Sequence, residues 1–180
     1  MESILLPSTI KFEPGARPNE GVLVVEPCFH GYGTTLGNAL RRVMLSSLPG
    51  AAVIAVKIKG GTHEFQAIPN VKEDMLEIIL NLKALRLKCF SEEPVKLNLK
   101  VKGARVVSAG DLEANADVEI VNPEMKIATI TDDGGSFELE LTVGRGRGYV
   151  PTEERTGEIN DIGTIAIDAL LRRIPEPRHP

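Results

Sequence analysis

The chain has 180 residues, 42% hydrophobic and 26% charged, with 17 glycines and 12 prolines, a profile that fits one large folded domain or two small ones and excludes disordered, collagen-like and mucin-like classes. Its 21 basic residues against 25 acidic ones leave a net charge of −4, the wrong sign for a protein whose main work is neutralising phosphates, although local basic patches stay possible. Five Phe, two Tyr and no Trp imply an aliphatic core and argue against a stacking platform for single-stranded nucleic acid.

The opening Ile4-Leu5-Leu6 is too short for a signal-peptide core and follows no basic segment, and no apolar run approaches the ~18 residues of a membrane span. Cys28 and Cys89 stand far apart without a second ligand nearby, so neither a zinc knuckle nor a disulfide framework is suggested. These features point to a soluble protein of a reducing compartment, the cytoplasm, with no membrane partner.

Pro14, Gly15, Pro18 and Gly21 mark a turn, and Gly21 to Val25 reads as a strand pairing with Thr9 to Phe12. The spacing then predicts a first helix over Leu36 to Leu48, capped by Thr34 or Thr35 and stopped by Pro49-Gly50. Leu36, Leu40, Val43 and Ser47 form one stripe, widened by Met44 and Leu48, and Asn38, Arg42 and Leu45 line up elsewhere. Ala51 to Gly60 is a β-branched run with Ile54, Val56 and Ile58 on one face and Lys57 and Lys59 on the other. Asn70 and Glu73 resemble a capping box, and Val71, Met75, Ile78, Ile79, Leu82 and Leu85 keep helical spacing over a second helix.

Pro94 to Lys102 and Phe137 to Val143 alternate cleanly, with shorter strands at Asp117 to Val121 and Lys126 to Thr131 between them. Pro151 to Ile159 looks like a solvated loop, Ile162 to Ala169 like one apolar strand, and Ile174 to Pro180 like a frayed tail. Strand clusters, each with a helix and no regular βαβ alternation, give an α+β fold with two lobes. One is a lobe of antiparallel strands plus helix, the other a mostly antiparallel β lobe with one helix.

Three histidines, His30, His63 and His179, are scattered and lack ligand spacing, so no metal is assigned. Asp132-Asp133 beside Gly134-Gly135 could hold a cation, but the same residues suit a tight hairpin turn, the preferred reading. No nucleophile with a plausible base is found, and no cofactor is implied. Gly31, Gly33 and Gly37 could let a pyrophosphate approach helix amides, which leaves a nucleotide-binding enzyme as the alternative function. The spacing is one residue too long, however, and no acidic residue closes the next strand.

In Gly144-Arg145-Gly146-Arg147-Gly148-Tyr149 a strand would put three glycines on one face and Arg145, Arg147 and Tyr149 on the other. That suits a structural or interface role better than an RNA-binding arm, which would be repeated and basic. Arg41 and Arg42 beside Leu45 fit either a protein interface or a solvated helix edge.

Residues 31–50, Gly-Tyr-Gly-Thr-Thr-Leu-Gly-Asn-Ala-Leu-Arg-Arg-Val-Met-Leu-Ser-Ser-Leu-Pro-Gly, closely resemble the first helix of the amino-terminal domain of the bacterial RNA polymerase alpha subunit. Residues 71–83, 117–123, 144–151 and 162–169 extend the resemblance in the same order. The resemblance implies an assembly role: two alpha subunits dimerise and carry the catalytic beta and beta-prime subunits of a nucleotidyltransferase, without catalytic residues of their own. It implies that Tyr32, Leu36, Leu40 and Val43 form the dimer seam and that Arg41, Arg42 and Leu45 face beta. Arg145, Arg147 and Tyr149 would lie in or near large-subunit contacts.

By the same resemblance residues 1–52 open the dimerisation lobe, 53–161 are the inserted lobe, and 162–180 begin the return to the first lobe. The chain departs from the family pattern after Asp168-Ala169, which implies a truncated amino-terminal domain. The helix that would cross the partner's first helix is then missing, leaving Leu36, Leu40 and Val43 partly uncovered and dimerisation impaired. The carboxy-terminal DNA-binding domain is also missing, so no direct DNA contact is expected.

Overall fold

The computed structural model describes residues 6–17, 20–155 and 163–171. They fall into two compact units, 6–46 and 47–171. The architecture is α+β with mostly antiparallel sheets.

The first unit is a hairpin and a helix. Strands β1 (Thr9–Pro14) and β2 (Gly21–Glu26) pair antiparallel from Thr9 opposite Glu26 to Pro14 opposite Gly21. Helix α1 spans Tyr32–Ser46, starting a turn before the expected Leu36. Gly31 takes a positive φ of 80°, so the chain reverses there and the helix opens at the next residue. Thr34 and Thr35 consequently lie inside the first turn and cap nothing from outside it. At the far end the Ser46 hydroxyl donates back to the Arg42 carbonyl at 2.7 Å.

The second unit is built on β9 (Ser136–Val150). One edge of β9 pairs, from Leu139 to Arg147, with β3 (Pro49–Ile58). The other edge pairs first with β5 (Val95–Lys102) and then with β11 (Ala169–Leu171). β10 (Thr164–Ala166) pairs with the outer edge of β3. Helix α2 (Met75–Lys83) and the pairs β4 (Leu87–Cys89) with β7 (Val118–Ile120) and β6 (Arg105–Ser108) with β8 (Lys126–Ile130) complete the unit. Met75, Ile78, Ile79 and Leu82 of α2 pack with Leu97, Leu99 and Val101 of β5 and Phe137, Leu139, Leu141 and Val143 of β9 in one aliphatic core. Alternation in β5 and β9 arises because one face of each meets that core and the other meets water.

Several local expectations shift. Pro49, expected as a helix stop, is the first residue of β3, where a missing amide is tolerated. A bulge between Val53 and Ala55 changes the register of β3. Val53, Val56 and Ile58 therefore face the main core, whereas Ile54 joins Ala52, Ala169 and Leu171 in a second cluster. The cap of α2 is Asp74, whose Oδ1 accepts from the Glu77 amide at 2.7 Å, and not Asn70. Asn70 instead sits in the left-handed region (φ 62°), and Val71 bridges to Ile130 ahead of the helix.

Residues 132–135 do turn, with the Gly135 amide on the Asp132 carbonyl at 2.9 Å. The strands they join, β8 and β9, pair with different partners, so the turn closes no hairpin. The expected strand over Ile162 to Ala169 is two strands parted at Ile167-Asp168, with Ile162 itself outside the described residues. Asp168 accepts from Lys83 Nζ and from the Thr152 amide, both at 3.2 Å, and these two donors hold its carboxyl below the usual range.

The expected solvated loop after Pro151 exposes Glu153 and Glu154, but its Arg155 is half-buried. That guanidinium donates to the Ile167 carbonyl and, at 3.2 Å, to the Ile54 carbonyl. Glu158 and the tail after Ile174 lie outside the described residues. Cys28 and Cys89 are free thiols.

Candidate protein interface

Helix α1 carries the first set of candidate residues. At 100° per residue, Tyr32, Leu36, Leu40 and Val43 fall within about 80° of arc, and Arg41, Arg42 and Leu45 within about 100° on the opposite side. The first set makes one apolar stripe, and the second a mixed guanidinium and leucine face.

None of the fifteen residues of α1 is buried. Leu40 is 43%, Val43 55%, Met44 58% and Leu45 67% exposed, and Tyr32 and Leu36 are half-buried. An amphipathic helix normally buries its apolar stripe, and here the side chains of that stripe are exposed or half-buried.

The hairpin adds apolar residues that periodicity alone did not single out. Ile10, Phe12, Val22 and Leu23 are all exposed. Their signal in the sequence is apolar character on both faces of a two-stranded ribbon, which a hairpin by itself cannot cover. Among the described residues of this unit none is buried.

In the second unit, Arg145, Arg147 and Tyr149 project together from the exposed side of β9. Opposite them on β3 and β11 stand Ala51, Pro49 and Leu170, two of them small, so the guanidinium groups are not screened by tall neighbours. The other side of this stretch needs its glycines. A Cβ on Gly144 would come 3.0 Å from Ile54 Cδ1, and one on Gly146 would come 2.6 Å from Leu171 Cδ1. Bare backbone thus lets the second core cluster close onto β9. Leu170, 48% exposed and opposite Tyr149, extends the face. It was not singled out because the apolar run around it hides the alternation.

The remaining candidates look different in three dimensions. Strand β2 ahead of Gly31 is an arm of an antiparallel hairpin, and Gly33 and Gly37 lie within α1 rather than in a loop before it. A phosphate cradle sets its glycines in the turn before the helix, and of the three only Gly31 stands there. Among the described residues no group of three or more His, Cys, Asp or Glu could hold a metal ion. No described helix is long and apolar enough to cross a membrane.

The family model described as RNA polymerase Rpb3/RpoA insert domain matches residues 56–171. The chain is 51% identical over 161 residues to the DNA-directed RNA polymerase subunit alpha of Roseiflexus sp. (strain RS-1), covering 89% of this chain and 49% of that protein. It is 53% identical over 151 residues to that of Desulforudis audaxviator (strain MP104C), covering 84% and 48%. To that of Alkaliphilus metalliredigens (strain QYMF) it is 50% identical over 165 residues, covering 92% and 52%. The chain spans about half the length of these curated relatives.

Proposed function

The chain belongs to the DNA-directed RNA polymerase alpha-subunit family, and on that premise we propose that it is an assembly scaffold: it associates with a second alpha chain and recruits the beta and beta-prime subunits of a cytoplasmic nucleotidyltransferase. The observation that carries the proposal is the uncovered helix α1 with its two opposite faces. Tyr32, Leu36, Leu40 and Val43 form the seam between two alpha chains. Arg41, Arg42 and Leu45 dock beta, Leu45 as the apolar anchor and the arginines as planar donors to its acceptors. Arg145, Arg147 and Tyr149 contact a large subunit. Catalysis itself falls to the large subunits. Within the proposal residues 1–52 and 162–180 serve the dimerising lobe and residues 53–161 the insert.

Two measurements separate the faces. Leu40→Asp with Val43→Asp should turn a dimer into a monomer in size-exclusion chromatography with light scattering, and leave capture of purified beta largely intact. Arg42→Ala should weaken beta capture about tenfold or more, as expected of a desolvated interface arginine. Equal beta recovery for wild type and Arg42→Ala would remove the docking role of that face.

A further inference from the structure

The side of β9 that carries Leu139, Leu141 and Val143 into the core carries Arg145, Arg147 and Tyr149 past its edge into solvent. Several other cations of this unit stand against carboxylates, Lys59 against Glu138 at 3.0 Å, Lys83 against Asp168 at 3.2 Å and Lys88 against Glu119 at 3.1 Å. Arg145 and Arg147 do not: neither side chain has a hydrogen bond or an ion pair among the described residues. Ala51, Pro49 and Leu170, across the ladder from Arg145, Arg147 and Tyr149, supply no carboxylate. Two exposed guanidinium groups thus keep their donors open on a chain whose net charge is −4.

The shape of this strip limits what can cover it. Arg145 and Arg147 lie in line, about 6.8 Å apart along the strand. Gly148 then takes a positive φ of 68°, and Tyr149 ends the row beside Leu170. Pro49 and Ala51, which flank the arginines, are half-buried, so the strip is one residue wide. An extended chain is about 4.8 Å across and repeats its side chains on one side at the same ~6.8 Å step, whereas a helix with its side chains is about 10–12 Å across. Behind the arginines the backbone of Gly144 and Gly146 lies close against Ile54 and Leu171, which gives the row a packed base.

We propose that this strip takes an extended acidic segment of a protein partner, with carboxylates at every second residue, one on each guanidinium, and an apolar side chain against Tyr149 and Leu170. The inference rests on the large-subunit contact proposed for these arginines and names the chemistry of the segment that makes it. A guanidinium fork meets a carboxylate with two parallel hydrogen bonds, which adds geometric specificity to charge. Tyrosine and arginine are also the side chains that most often anchor protein interfaces. Two cations on a net-negative chain give a nucleic-acid backbone little counterion release, and a phosphate tract would leave Leu170 without an apolar contact.

The test is fluorescence anisotropy of the whole chain with a labelled peptide whose core is Glu-Thr-Glu-Thr-Leu, run in both chain directions. The better direction should bind saturably and about tenfold more tightly than Thr-Glu-Glu-Thr-Leu, which puts its carboxylates on opposite sides of an extended chain. Arg145→Gln with Arg147→Gln should weaken binding about tenfold or more, and Arg147→Lys, which keeps the charge and loses the fork, about threefold. Arg145→Glu with Arg147→Glu should instead take Lys-Thr-Lys-Thr-Leu, a gain that misfolding cannot produce. No saturable binding, equal binding of the peptide with adjacent acids, charge variants that leave binding unchanged, or a single-stranded oligonucleotide bound more tightly than the peptide would each overturn the proposal. Capture of purified beta and beta-prime by Arg145→Gln with Arg147→Gln separates the inference from the contact it rests on. Lost capture without peptide binding overturns the acidic segment and leaves the contact standing; peptide binding with capture unchanged supports the acidic segment and removes the large subunits as its source.

Discussion

Glu73 is the buried charged residue among those described, 2% exposed. Its carboxylate accepts from the Thr129 amide at 2.6 Å, the Thr129 hydroxyl at 2.9 Å and Lys126 Nζ at 2.6 Å, tying the segment before α2 to β8. Burial by itself would raise its pKa, but Lys126 and the two Thr129 donors outweigh that and hold it below the ordinary 4.5. Glu73→Gln keeps the shape and loses the charge, so thermal or denaturant unfolding should show a loss of about 2 kcal/mol at neutral pH. Because the folded-state pKa is the lower one, this stabilisation is complete above the unfolded value and is lost as pH falls through the folded value. The gap between wild type and Glu73→Gln should be flat above pH ~5 and shrink as pH drops towards ~3. A gap that grows on acidification would contradict the assignment. The spacing from Asn70 to Glu73 marked the right residue for the wrong task. Its partners are more than fifty positions away, and local pattern carries no information about them.

Helix α2 shows at the scale of an element what periodicity can and cannot locate. Met75, Ile78, Ile79 and Leu82 face the core as their spacing dictates, yet the helix starts after Asn70 and Val71, because an apolar residue bridging to β8 fits the same spacing as one on a helix. The start is set by a hydrogen bond from the Glu77 amide to Asp74, and Asp74→Ala should cost about 1 kcal/mol in unfolding free energy. Asn70→Ala would not touch that cap. Strand β3 has the same character: its β-branched residues announce a strand, but the bulge that sends Ile54 to a different cluster from Val56 depends on its pairing with β9. For α1, the two faces were legible from 3.6-residue spacing. What spacing left open was whether the stripe is covered, since an amphipathic pattern is the same whether its lid belongs to the same chain or to another.

Across the whole molecule, burial is distributed unevenly. The buried residues belong to positions 47–171, and the described part of the first unit has none. Composition pointed to an aliphatic core and the clustering of predicted elements to two lobes, but neither to a core that would lie wholly in one of them. A fifteen-residue helix and a two-stranded hairpin are each marginal in water without tertiary packing. Order in residues 6–46 should therefore depend on association, whereas order in 47–171 should not. Hydrogen exchange on the whole chain at two concentrations separates these cases. Amides of β5 and β9 should be protected equally at both, opening only with global unfolding. Amides of α1 should exchange fast in dilute solution and slow as concentration rises, because a partner that binds only the folded form stabilises it by mass action. Leu40→Asp with Val43→Asp should abolish the concentration dependence and leave β5 and β9 unchanged. Protection of α1 that is high and independent of concentration would mean that the helix needs no second chain, and the seam assigned to Leu36, Leu40 and Val43 would fall with it.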